Sequence, residues 1–263
     1  MAFDIGNYTR ASRGITWDDL PLSDFRDRPL SPRAVSSLRY MCDVEYHTVC
    51  YLRDMLVTPS HRDPDVTAFM TMWNVEEFWH GEALAAVLDM HAVRVGHEHL
   101  TEVRRKGGWR DRLDPIKQSL LANVIGDDFV AVHMTWGAVN EWSAIAAYKR
   151  LAVLENHPVL STLLARIVRQ EASHVAFYAT QARDRLARSE KARWLARFAL
   201  RRFWAPVGSG VMPETAVRHM LRHLMSGPDG RRAARGIDAN LQRLPGLANL
   251  RIVEAALDSR GIA

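Results

Sequence analysis

The sequence predicts an all-α protein, a four-helix bundle with additional C-terminal helices. Helix-forming residues dominate and strand-like alternation bounded by turn signals is scarce. Four long segments repeat apolar residues at 3-4 spacing, which gives each of them one buried face. The 263 residues are 48% hydrophobic, enough to bury a substantial core without staples.

Residues 1–31, with Gly6, Gly14, Pro21 and Pro29, read as an irregular arm. Ser31-Pro32 supplies a cap and a first-turn proline, so a first helix runs from there to about Val57, ahead of Thr58-Pro59. Asp63-Pro64 repeats the start signal for a second helix, with Phe69, Trp73, Glu77, His80, Leu84 and Val87 or Leu88 on one face. His91 to Trp109 reads as a connection leading to Asp114-Pro115 and a third helix over about Ile116 to Glu155, interrupted near Gly126. The fourth starts near Pro158 and aligns Leu160, Leu163 or Leu164, Ile167, Glu171, His174, Tyr178 and Ala182. Residues 32–187 form the expected bundle, four consecutive amphipathic helices making that the default architecture. Beyond them, 188–263 is a basic accessory helical region packed on it, broken by Pro206, Gly208, Gly210, Pro228 and Pro245.

Cys42 and Cys50 lie eight apart on one predicted helix, too far along its axis to bridge, and read as reduced thiols. No charged leader with an apolar run and cleavage site opens the chain, and no apolar stretch is long enough to span a bilayer. The expectation is a soluble, cytoplasmic protein that is not membrane-spanning. A net charge of +5 and pI near 9.5 suit an acidic partner of any kind. No nucleic-acid-binding motif accompanies that charge, so no nucleic acid partner is expected.

Two copies of Glu-x-x-His, Glu77 to His80 and Glu171 to His174, fall on otherwise apolar helix faces. Residues three apart in a helix lie about 60° apart and one turn in height, so carboxylate and imidazole can grip one ion. The first and third helices each add an acid on an apolar stripe. Glu45 lies among Leu38, Met41, Val49 and Leu52; Glu141 lies among Met134, Ala138, Ile145 and Tyr148. Glu45 and Glu77 are 32 residues apart and Glu141 and Glu171 are 30 apart, a near repeat of one helix pair. Four carboxylates and two neutral imidazoles sum to −4, which two divalent cations cancel; unfilled, buried acids would have to protonate. Oxygen and nitrogen donors without thiolate suit iron, with manganese as the alternative, and dioxygen chemistry needs a redox metal.

The ligand pattern resembles the ferritin-like di-iron carboxylate superfamily over roughly residues 32–187. Within it, Trp73-Asn74-Val75-Glu76-Glu77-Phe78-Trp79-His80-Gly81-Glu82 is most similar to the soluble acyl-carrier-protein desaturases, whose second helix carries a Glu-Glu-x-x-His-Gly-acid run. The resemblance implies metal ligands Glu45, Glu77, His80, Glu141, Glu171 and His174, the carboxylates dividing into bridging and terminal roles and the histidines terminal. There are departures. Gln170 stands where the desaturases commonly place an acid, Trp79 and Ser173 where they place a basic residue, and Ala144, beside Ser143, where they carry a threonine associated with oxygen activation.

Other residues read more plainly. His219 and His223, four apart, lack a third ligand, and His91, His97 and His99 are expected at the surface. His47, two positions from Glu45, points to another side of its helix. Trp73, Trp79, Trp136 and Trp142 read as core filling before they read as a substrate channel or electron relay. The arginines between Arg183 and Arg202 could dock an acidic carrier protein, although a solvated face is the plainer reading.

The resemblance implies an oxidoreductase in which two iron ions use dioxygen to act on an unactivated C–H bond, desaturating an acyl chain carried by acyl carrier protein or coenzyme A. Electrons would come from a ferredoxin-type donor, since no flavin or nicotinamide fingerprint is present. Related bundles often dimerise, so a homodimer is expected. The alternatives are a hydroxylase or N-oxygenase of a natural-product intermediate, although an N-oxygenase carries a histidine where Ile167 stands, and a non-enzymatic iron-storage or ligand-binding bundle. A radical-generating ribonucleotide reductase subunit is disfavoured by Leu84 at its tyrosine position.

Overall fold

The computed structural model describes residues 3–95, 119–120 and 122–263. They are mainly helical, and among them the β-structure is one isolated bridge between Ser209 and Met212. In chain order the helices are α1 (Ile5–Ala11), α2 (Asp24–Asp27), α3 (Pro32–Met55), a 3-10 turn (Pro59–Arg62), α4 (Pro64–Asp89), α5 (Asp128–Glu155), α6 (Pro158–Arg188), α7 (Glu190–Phe203), α8 (Glu214–Met225), α9 (Gly227–Gln242) and α10 (Ile252–Asp258). No described helix is long and apolar enough to cross a membrane.

Local chemistry sets the helix starts. Ser31 Oγ accepts the Ala34 N–H at 3.1 Å, and Pro32 occupies a first-turn position where no N–H is needed. Asp63 Oδ1 accepts from the Asp65 and Val66 amides at 3.0 and 3.1 Å ahead of Pro64. Both starts fall where the Ser-Pro and Asp-Pro pairs place them. The expected third helix begins outside the described residues. Its described part is broken at Gly126, whose φ of +77° favours a residue without Cβ, and α5 resumes at Asp128. His97, His99 and the Asp114-Pro115 start signal also lie outside the described residues.

In its described residues the chain forms two compact units. One comprises Ile5–Val124 and Leu151–Ile167, the other Met1–Asp4, Ile125–Arg150 and Val168–Ala263, so α5 and α6 each lend a segment to both. In the first unit α3 packs along α4, and α1 lies against α4. The α5–α6 corner in this unit is tied to the start of α3: Ser31 donates from its backbone N–H and its hydroxyl to the Glu155 carboxylate at 2.9 and 2.8 Å. Phe25, fully buried, stacks on the His157 ring at 4.4 Å.

The arm is more ordered than its glycines and prolines suggest. Seven of its residues make α1, and the reason is tertiary: Tyr8 is buried, packs its ring 5.3 Å from Phe69, and donates its hydroxyl to Glu76 Oε2 at 2.7 Å. Tyr8→Phe takes a charge-assisted hydrogen bond from a buried carboxylate, and the expected loss is about 2 kcal/mol, read as a lower urea midpoint at unchanged slope.

The second unit carries the C-terminal helices. Ser189 Oγ accepts the Ala192 N–H at 3.0 Å and caps α7, whose Ala192, Ala196 and Leu200 form a buried stripe. Arg150 Nε donates to the Leu224 carbonyl at the end of α8, and Arg197 donates to the Gly246 and Ala248 carbonyls. Asp238, buried on α9, accepts the backbone N–H groups of Ile252, Val253 and Glu254, each at 3.0 Å, and so caps α10 from a neighbouring helix.

Candidate metal centre

The six acids and histidines singled out by the sequence gather as two triads, one in each unit. In the first, Glu77 and His80 stand one turn apart on α4 and Glu45 joins them from α3. One donor atom from each lies within 4.8 Å of the others. His80 Nδ1 is 3.4 Å from Glu77 Oε2. Burial is nearly complete, with Glu45 6%, Glu77 3% and His80 0% exposed. The surrounding face of α4 is apolar as its spacing requires: Phe69, Trp73, Leu84, Val87 and Leu88 are all buried.

The second triad repeats the arrangement. Glu171 and His174 stand one turn apart on α6, with Glu141 joining from α5, and their donor atoms also lie within 4.8 Å of one another. His174 Nδ1 is 3.0 Å from Glu171 Oε2 and 3.8 Å from Glu141 Oε2. All three residues are buried, as are Leu160, Leu163, Leu164, Ile167, Tyr178 and Ala182 on the same face of α6.

These spacings fit a metal. Two donors at right angles on bonds of about 2.1 Å lie about 3 Å apart, and the Nδ1–carboxylate separations of 3.0, 3.4 and 3.8 Å lie at that value or above it. In each triad Nδ1 is the imidazole nitrogen that faces the acids. Two carboxylates and one neutral imidazole carry −2, so one divalent cation neutralises each triad, and the donors suit a metal that takes oxygen and nitrogen ligands. Buried carboxylate and histidine clusters of this kind could hold a metal ion.

Several neighbours brace the triads. Gly81, next to His80, sits where an added Cβ would lie 3.0 Å from the Tyr46 ring, so α3 and α4 approach closely here. The Tyr46 hydroxyl donates to Glu82 Oε1 at 2.6 Å, and burial together with that bond pushes its phenol upward. Cys42 is buried, its thiol directed at the Gly81 carbonyl at 3.4 Å, and burial raises its pKa, so it stays protonated and inert. In the other unit Gly137 on α5 lies against the Tyr178 ring on α6.

His133 on α5 had no signal in the sequence beyond its 3-4 spacing with Gly137 and Glu141. It is buried, and desolvation, helped by Arg185, lowers its pKa from 6.5 to about 3. The unfolded chain therefore takes up this proton below about pH 6.5 while the folded chain does not, and stability falls as pH drops through that window. Well below pH 6.5 the slope approaches about 1.4 kcal/mol per pH unit, so His133→Leu will reduce the stability difference between pH 7 and pH 5 by about 2 kcal/mol in urea melts.

Some sequence expectations are met only in part. Val49, expected beside Glu45 on the buried stripe, is 43% exposed; α3 has no buried residue between Tyr46 and Met55. Of the four tryptophans, Trp73 is buried and Trp136 and Trp142 are half-buried. Trp79 is 39% exposed and lies over Gly14 and near Trp17, covered by the arm rather than by the core. His91 is half-buried: it accepts the Leu30 N–H at 3.0 Å and faces the Val87 carbonyl at 2.9 Å. His219 and His223 have ring centroids 6.5 Å apart, and they belong to no group of three potential ligands among the described residues.

No protein-family model, curated protein or solved structure matches this chain.

Proposed function

We propose that Glu45, Glu77, His80, Glu141, Glu171 and His174 hold two iron ions, with manganese as the alternative, in a ferritin-like four-helix bundle, and that the protein is a dioxygen-dependent oxidoreductase. The observation that carries this reading is the pair of buried triads, each joining a Glu-x-x-His turn to one acid of a second helix. Their near-repeat in sequence and matching ligand sets, each carrying −2, favour two related ion sites over a chance cluster. Bound there, iron would supply the redox chemistry that turns dioxygen into an oxidant strong enough for an unactivated C–H bond.

The chain's own groups would do the rest. Glu77, His80, Glu171 and His174 fix ions to helix faces that packing holds rigid, and the apolar side chains around them keep bulk water from the reacting atoms. The hydroxyl of Tyr8 orients Glu76, next to the ligand Glu77, so α1 reaches the neighbourhood of the first triad. The substrate class that the resemblance favours is an acyl chain on a carrier protein or coenzyme A, with desaturation as the outcome and a ferredoxin-type protein as electron donor. Localisation in the cytoplasm and a homodimeric assembly belong to the same reading.

Anaerobic loading with Fe(II) followed by a dioxygen pulse tests it. An enzyme will bind about two irons per chain and give a stoichiometric optical transient whose decay responds to added acyl substrate. Mineralised iron well beyond two per chain would favour storage instead. A chain that takes up no iron would remove the proposal altogether.

A further inference from the structure

The outer face of α7 has properties that neither the triads nor the core explains. Its buried stripe is Ala192, Ala196 and Leu200, so the opposite side looks outward. There Trp194 is 64% exposed and Phe198 48%, and at the helix end Phe203 is 59% exposed. Large rings left in water are costly, and grouped ones mark an interaction surface. These are grouped: Trp194 and Phe198, one turn apart, stack at 5.5 Å with their planes 3° apart, and Phe203 meets Phe198 edge-on at 5.8 Å.

Cations surround the rings. Lys191 is paired with Asp128 and Arg193 with Glu190. Among the described residues no carboxylate faces Arg197, Arg201 or Arg202; Arg197 uses only its Nη1 on the Gly246 and Ala248 carbonyls, and Arg202 lies 5.5 Å over the Phe203 ring. Trp194, Arg197, Phe198, Arg201 and Arg202 line an open hollow of about 400 Å³, and Arg197 and Arg201 also line a second one of about 510 Å³ beside it. Anion-binding groups and apolar rings thus alternate over one 14-residue helix.

We propose that α7 docks on an anionic phospholipid surface, its rings entering the headgroup–acyl boundary while Arg197, Arg201 and Arg202 take up lipid phosphates. This combination of Trp and Phe with Arg is what holds an amphipathic helix in the plane of a bilayer interface. Exposed rings beside arginines that no carboxylate faces complement a surface that is apolar and anionic at once, and a phospholipid interface supplies both. A second copy of this chain is disfavoured by charge, since pairing this face with itself sets Arg201 and Arg202 against their own kind, and the one acid of α7, Glu190, is already paired with Arg193. The inference is independent of the metal centre.

Vesicle co-sedimentation of the full chain tests it. Binding to phosphatidylcholine vesicles containing about one-third phosphatidylglycerol will exceed binding to phosphatidylcholine alone by roughly tenfold or more, and added salt will weaken it. Brominated acyl chains in the anionic vesicles will quench tryptophan emission, and Trp194→Phe will remove most of that quenching. Trp194→Ala with Phe198→Ala will reduce binding roughly tenfold at an unchanged melting temperature, since both rings are outside the core. Arg201→Glu with Arg202→Glu will abolish the preference for anionic lipid. Equal binding by the ring-deleted variant would show only the general attraction of a basic protein and overturn the proposal. So would failure of the wild-type chain to bind anionic vesicles at low salt. A Trp194 emission change on titrating an acidic carrier protein, in a chain that ignores vesicles, would assign the face to a protein partner and overturn it equally.

Discussion

On the proposed assignment, His174→Ala will lower bound iron from about two per chain to about one after anaerobic loading and desalting, measured by elemental analysis. His174 offers the nitrogen that lies 3.0 and 3.8 Å from the carboxylates of Glu171 and Glu141, so its loss leaves two buried acids to hold a cation without their imidazole. Affinity at that triad is expected to fall by about 10- to 100-fold or more. A stability readout follows by linkage: ion at about a hundredfold excess over its dissociation constant stabilises the folded chain by about 2.7 kcal/mol. Fe(II) will therefore raise the melting temperature of the wild-type chain, and His174→Ala will lose a large part of that rise. His219→Ala, which touches neither triad, will keep all of it. Full iron and a full thermal shift in His174→Ala would refute the assignment of this residue as a ligand.

Gly137→Ala will be among the most damaging single-methyl additions in the protein. A Cβ there would lie 2.3 Å from Cε1 and 2.4 Å from Cδ1 of Tyr178, well inside van der Waals contact. The ring has little room to yield, being fully buried between Phe177 at 6.2 Å and His133 at 6.1 Å. Either the ring leaves its rotamer or α5 moves off α6, and the expected cost is about 3 kcal/mol in chemical denaturation. A double-mutant cycle separates this contact from a simple loss of helix flexibility. Tyr178→Leu will cost less in the Gly137→Ala background than in the wild-type chain, with a coupling of about 1 kcal/mol or more. Gly137 stands one turn before Glu141, and Tyr178 one turn after His174. The same methyl will therefore weaken iron binding at the second triad even though neither residue is a ligand.

The sequence makes legible those features that short-range physics controls. Ser31-Pro32 and Asp63-Pro64 mark the starts of α3 and α4 to the residue, because a cap side chain and a proline act within one turn. The burial of Glu77, His80, Glu171 and His174 follows from helical periodicity, since every apolar residue aligned with them on α4 and α6 is buried too. The meeting of Glu45 with Glu77 and His80 was readable only as a consequence of pairing two amphipathic helices. Features fixed by distant partners were not legible. α1 contains a glycine, and the one start signal before it, Asp4, is isolated; the helix is held by Tyr8 reaching 68 residues along the chain to Glu76. Trp79 looked like core by composition, yet the arm covers it at Gly14, a contact no periodicity encodes. The burial of His133 and His157 likewise depends on neighbours from other helices.

The three amides gathered by Asp238 belong to the opening turn of α10, whose N–H groups have no acceptor within their own helix. Such groups ordinarily trade protons with solvent as fast as the helix end frays. With one carboxylate from α9 holding all three, deuterium uptake at Ile252, Val253 and Glu254 will be slow and will track the opening of α9. Asp238→Ala will release them to exchange at the pace of a loose end, so a change made on one helix will be recorded by mass spectrometry on the next.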